Sequence, residues 1–72
     1  MKKVYKLRDL DCAHCASQIE AAVKRLEDVK DASVNFLTQK FTLEAEDEVF
    51  EAALEGALKA FKKIEPDCSV EL

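Results

Sequence analysis

Hydrophobic positions in this chain change period several times, and each change marks an element. Over residues 2–8 (KKVYKLR), Tyr5 and Leu7 alternate with Lys6 and Arg8, the period-2 signature of a half-buried strand. Asp9 to Ala13 read as a loop. From about Cys15 to Glu27 the spacing lengthens. Ile19, Val23 and Leu26 recur at i, i+4 and i+7, Ala16 and Ala22 extend the stripe, and Glu20, Lys24 and Arg25 face away. This predicts an amphipathic helix of about 12 residues. Residues 31–37 then turn Ala32, Val34 and Phe36 inward, and residues 40–46 do the same with Phe41, Leu43 and Ala45. The short Thr38-Gln39 link predicts an antiparallel hairpin. Over residues 47–63 the helical period returns with Phe50, Leu54, Leu58 and Phe61. Asp47 and Glu48 suit its positive end, Lys62 and Lys63 its negative end. Pro66 blocks further helix, and in the tail 67–72 Cys68, Val70 and Leu72 share one face.

The order is strand, helix, strand, strand, helix, strand. One four-stranded antiparallel sheet covered on one face by two helices buries every stripe. This is an α+β, ferredoxin-like βαββαβ arrangement. No linker interrupts it, so residues 1–72 are expected to form one domain.

Composition narrows the function. With 49% apolar residues in 72, the chain can build one small core, burying only about 60% of its unfolded surface. Fifteen acidic against 11 basic residues, a formal charge of −4, exclude a nucleic-acid binder that works by neutralising phosphates. No apolar run exceeds Ala21-Ala22-Val23 in length, against the roughly 20 residues of a membrane span, so no direct membrane insertion is expected. Met1-Lys2-Lys3 imitates a leader, but no apolar stretch follows it, and a cytosolic location is expected. Three cysteines are an odd set, two of them three positions apart. A metal or redox site accounts for that better than a disulfide framework.

The chemistry concentrates in Leu10-Asp11-Cys12-Ala13-His14-Cys15-Ala16. Two cysteines at i and i+3, on a loop entering a helix, can turn both sulfurs to one point. The helix end favours thiolates there, and thiolates are what a soft metal requires. Asp11 adds an anionic oxygen, giving three ligands toward a tetrahedral shell. Capping the helix is the other role open to Asp11. His14 is either a solvated residue between the cysteines or a further ligand. Cys68 is either a small core residue or an auxiliary thiolate, because the last strand starts at the metal end of this fold. Gly56, inside the second helix, is expected to mark a close helix–sheet approach.

With these residues in place, the chain resembles the heavy-metal-associated domain family, the βαββαβ modules of metal-transporting P-type ATPases and of copper or mercury chaperones. The resemblance runs over essentially the whole chain and sets Cys12-Ala13-His14-Cys15 where the family carries its Cys-x-x-Cys. The copper branch reads Gly-Met-Thr-Cys-x-x-Cys, against Asp9-Leu10-Asp11-Cys12-Ala13-His14-Cys15 here. Leu10 takes the buried role of the family's Met. An Asp-Cys-x-x-Cys is similar to the amino-terminal domains of zinc-, cadmium- and lead-exporting ATPases. Pro66 falls where copper proteins often carry Lys, Tyr or Phe.

The resemblance implies a binding domain rather than an enzyme. It would take Zn(II), Cd(II) or Pb(II) ahead of Cu(I) through Asp11, Cys12 and Cys15. Its partner would be a membrane metal-transporting ATPase, in cis or in trans, and the domain would act as a monomer or a metal-bridged dimer. A free-standing copper or other metal chaperone would look almost identical. From another class, a thiol–disulfide oxidoreductase also uses Cys-x-x-Cys at a helix start, but in longer folds with a cis-Pro facing the disulfide. A structural zinc finger would need more than one such pair.

Overall fold

A computed structural model describes residues 1–72. Its elements are β1 (Lys2–Arg8), α1 (Ala13–Lys24), β2 (Asp31–Asn35), β3 (Lys40–Glu44), α2 (Phe50–Ile64) and β4 (Ser69–Glu71), with a 3-10 turn over Asp47–Val49 leading into α2. The sheet order is β2-β3-β1-β4 and every neighbouring pair is antiparallel. This is the expected ferredoxin-like arrangement.

Register follows the alternation of residues. Tyr5 pairs with Phe41 and Leu7 with Val70, while Ala32 sits opposite Leu43 and Val34 opposite Phe41. One sheet face therefore carries the apolar set that α1 and α2 cover. Ile19 and Val23 from α1 and Phe61 from α2 are almost fully buried against Phe41 and Leu43, and no polar side chain is buried. Phe41 meets Phe61 edge-on at 5.0 Å and stacks on Tyr5 at 6.1 Å. Each such buried side chain stabilises by about 1.5–3 kcal/mol.

Several expectations shift by a residue or a turn. α1 begins at Ala13, not Cys15, because Cys12 caps it. The buried stripe of α2 is Phe50, Ala53, Ala57 and Phe61, with Leu54 half-buried on its flank. The two alanines let α2 sit close, which displaces Leu54 and Leu58 from the centre of the stripe. Leu26, just past α1, packs on the core. A Cβ on Gly56 would stand 2.8 Å from Leu26 Cδ1, so the close approach at Gly56 is to the end of the first helical segment and not to the sheet. Phe36 packs from the turn after β2, and Leu72 is 79% exposed beyond β4.

The edge strand β2 is guarded. The Val34 amide donates to Glu20 Oε1 of α1 at 2.9 Å, and the Ala32 amide to Asp31 Oδ1 at 2.9 Å. Lys24 Nζ lies between those carboxylates, at 3.8 and 3.9 Å. At the other end of the sheet's axis, the exit of β1, the β2–β3 turn and the α2–β4 connection gather together. The Leu7 amide bonds Gln39 O at 2.8 Å, and Arg8 pairs with Ser69.

Candidate metal centre

After Arg8 the chain turns sharply, with Asp9 in the left-handed region (φ 63°). Leu10 returns its side chain to the core, 2% exposed, and fills the apolar role expected of it. Asp11 is exposed. Cys12, in extended backbone (φ −129°, ψ 109°), is the N-cap of α1, and its Sγ accepts from the Cys15 amide at 3.2 Å. A sulfur does here the work that Ser, Thr or Asp oxygen usually does. No acidic residue lies in the first turn of α1, so the helix itself supplies nothing to offset its positive end.

The third group arrives from the far side of the sequence. Glu65 caps the C-terminus of α2, its amide donating to Phe61 O, and its carbonyl accepts from the Cys68 amide at 3.0 Å. That turn carries the Glu65 carboxylate to the cysteines. The ligand atoms of Cys12, Cys15 and Glu65 lie within 4.8 Å of one another, and all three residues are half-buried. Two sulfurs and one oxygen form three corners of the tetrahedron that zinc prefers.

The electrostatics are set by acidic groups crowded together. The Cys15 thiol is pushed up to about 12, chiefly by its hydrogen bond with Cys12, then by burial and by hydrogen bonding to Glu65. The expected thiolate-favouring effect of the helix end is therefore overridden at Cys15 by its acidic neighbours. Burial also pushes the Cys68 thiol up, with the charges of Glu65, Asp9 and Asp11 adding to it.

Of the residues singled out in the sequence, Cys12 and Cys15 come together as expected. Asp11 lies outside the three-residue group, and the capping role open to it belongs to Cys12. His14 is exposed on α1, also outside the group. Cys68, 8% exposed, is part of the core cluster. Glu65 was not foreseen. Its signal was an acid directly before Pro66, in the connection that this topology brings to the metal end.

Paired thiols at the start of α1 on a βαββαβ frame, with a carboxylate beside them, define a small metal-binding module. The chain belongs to the heavy-metal-associated domain family, whose model matches residues 4–65. It is 36% identical over 63 residues to a probable cadmium-transporting ATPase of Listeria monocytogenes, covering 88% of this chain and 9% of that protein. It is 40% identical over 67 residues to a cadmium, zinc and cobalt-transporting ATPase of Helicobacter pylori, covering 92% of this chain and 9% of that one. The chain thus spans a small fraction of these relatives' length. Among solved structures, it superposes on the N-terminal domain of a potential copper-translocating P-type ATPase from Bacillus subtilis in its Cu(I)-loaded state. That match has a TM-score of 0.76 and 28% identity, over 99% of this chain and 84% of that one. No helix here is long and apolar enough to cross a membrane.

Proposed function

We propose that this domain captures a divalent ion, Zn(II), Cd(II) or Pb(II), and hands it to a membrane metal-transporting ATPase at the cytosolic face. In cis it would be that protein's amino-terminal domain. The supporting observation is the carboxylate: Glu65 stands within 4.8 Å of both Cys12 and Cys15. Two thiolates leave a divalent ion neutral and short of ligands, so an added carboxylate completes its shell. The same two thiolates already make Cu(I) formally anionic, and a carboxylate beside it adds repulsion. Cys12, Cys15 and Glu65 supply three ligands in this account, and Asp11, next to Cys12 in the chain, would supply a fourth. His14 stays a solvated residue and Cys68 a core residue. Half-exposed ligands suit transfer, because a partner's thiols can replace them one at a time. The domain carries its cargo and performs no catalysis.

A copper chaperone is the second reading, favoured by the Cu(I)-loaded structural neighbour. Thiol–disulfide exchange is disfavoured, since the chain matches the heavy-metal-associated domain and not a longer redox fold.

Chelator-competition titrations of Zn(II), Cd(II) and Cu(I) on wild type, Glu65→Gln and Asp11→Asn test the proposal. Glu65→Gln is expected to weaken both divalent ions by about tenfold or more, a change of at least 1.4 kcal/mol, with Cu(I) unchanged or tighter. Asp11→Asn should act in the same direction and more weakly. Losses only in Asp11→Asn would move the third ligand to Asp11. Equal losses for all three ions, or none, would overturn the divalent reading.

A further inference from the structure

The turn between β2 and β3 holds a side chain that behaves as an extra piece of strand. Gln39 Nε2 donates to Leu10 O at 2.6 Å and to Phe36 O at 2.8 Å, while Gln39 Oε1 accepts from the Leu10 amide at 3.1 Å. Its backbone carbonyl takes the Leu7 amide at 2.8 Å. The regular β1–β3 pairing stops at Lys6 opposite Lys40. Beyond it, the primary amide of Gln39 pairs with both polar groups of Leu10, as a facing peptide would. The donor and acceptor ends of the amide are fixed unambiguously, since two carbonyls and one N–H surround it.

Gln39 also holds a left-handed backbone, φ 55°, and so does Asp9 at the exit of β1, φ 63°. Non-glycine residues adopt that region at a cost, and such residues gather where the chain is held for a purpose. Here the two bends bring Leu10 against the Gln39 amide. Leu10 is then fixed three ways: its side chain in the core, its N–H and its C=O on one side chain. Two residues later comes Cys12.

We propose that Gln39 is a positioning residue for the metal loop. By clamping the Leu10 peptide on both sides, it fixes where Cys12 Sγ stands relative to Cys15 and Glu65, so the thiolates need little rearrangement to receive the ion. The inference rests on the metal-binding reading above. Groups that orient metal ligands without touching the metal commonly contribute about 10- to 100-fold in affinity, and an effect of that size is expected here.

The test uses Gln39→Asn and Gln39→Leu. Asn accepts the left-handed backbone at least as readily as Gln but is one methylene too short to span Leu10. It keeps the turn and removes the clamp. Three readouts are compared with wild type: thermal stability, amide exchange at Leu10 in the metal-free protein, and Cd(II) affinity with the 113Cd chemical shift of the bound ion. Expected for Gln39→Asn are a melting temperature lowered by several degrees, loss of Leu10 amide protection, about tenfold or greater loss of Cd(II) affinity, and a displaced or broadened 113Cd signal. Gln39→Leu should show the same losses with lower stability. Unchanged Leu10 exchange, or Cd(II) affinity and 113Cd shift matching wild type in Gln39→Asn, would overturn the positioning role while the metal site stood. A wild type with no Cys12-dependent Cd(II) binding would overturn the metal reading and the positioning role with it.

Discussion

The two helices of this domain begin in opposite ways. α2 is approached through Asp47 and Glu48 and carries Glu51 in its first turn, with no side-chain cap. Its positive end is covered by carboxylates, which favours the helix and leaves nothing for a ligand. α1 has no acid in its first turn, and its cap is the sulfur of Cys12. A thioether or thiol sulfur is a weak hydrogen-bond acceptor, so α1 gives up stability at the place where two thiols must meet a cation. The lesson is a division of labour between equivalent termini: one is spent on holding the fold, the other is kept available for chemistry.

That contrast can be broken most completely by Cys12→Ser. A hydroxyl is the better cap but a poor ligand for a soft ion. The variant should keep its circular dichroism and melting temperature while Cd(II) affinity falls by about 1,000-fold or more, some 4 kcal/mol. Retained tight binding would show that Cys12 serves only as a cap.

Acidification should act next most strongly, and only on the α1 end. With its thiol pushed up to about 12, Cys15 holds a proton throughout the neutral range, and an incoming ion must displace it. Each displaced proton makes apparent affinity rise about tenfold per pH unit. Cd(II) binding should therefore weaken at least about 100-fold from pH 8 to pH 6, read by competition at each pH. A flat profile would mean that the thiols are already ionised.

At the α2 end, Glu51→Gln should lower stability by about 0.3–1 kcal/mol in denaturant titrations and leave Cd(II) affinity untouched. An altered affinity would show that the two ends are not independent. The smallest effect is expected from Gly56→Ala. Better helix propensity contributes about 1 kcal/mol, offset by the 2.8 Å approach of the new methyl to Leu26 Cδ1. That atom is the far end of its side chain. Stability should stay within about 1 kcal/mol of wild type, and a larger loss would mean that Leu26 cannot yield.

What the sequence disclosed depended on distance along the chain. Cys12 and Cys15 are three residues apart, and their meeting needs only a helix start. The alternation of Tyr5 and Leu7, or of Phe41 and Leu43, shows its buried face directly. Glu65 and Gln39 act across the fold, on groups some 50 and 29 residues away in sequence, and nothing local distinguishes them from other polar residues. The stripe of α2 was misplaced for a different reason. Phe50 and Phe61 were plain, but between them large Leu54 and Leu58 outweighed Ala53 and Ala57, although close packing favours the small pair.

The guarded edge at β2 bears on how such a domain keeps company. A domain that hands its ion on, as proposed, must let another protein come within bonding distance of its thiols. Bare strand margins on such frames would anneal to each other indiscriminately, margin to margin, whatever the cargo. With Glu20 and Asp31 already occupying the amides of Val34 and Ala32, that route is closed on one side of the sheet. Under the proposed function, encounters would then be decided at the thiol-bearing end, where recognition can depend on the ion being carried.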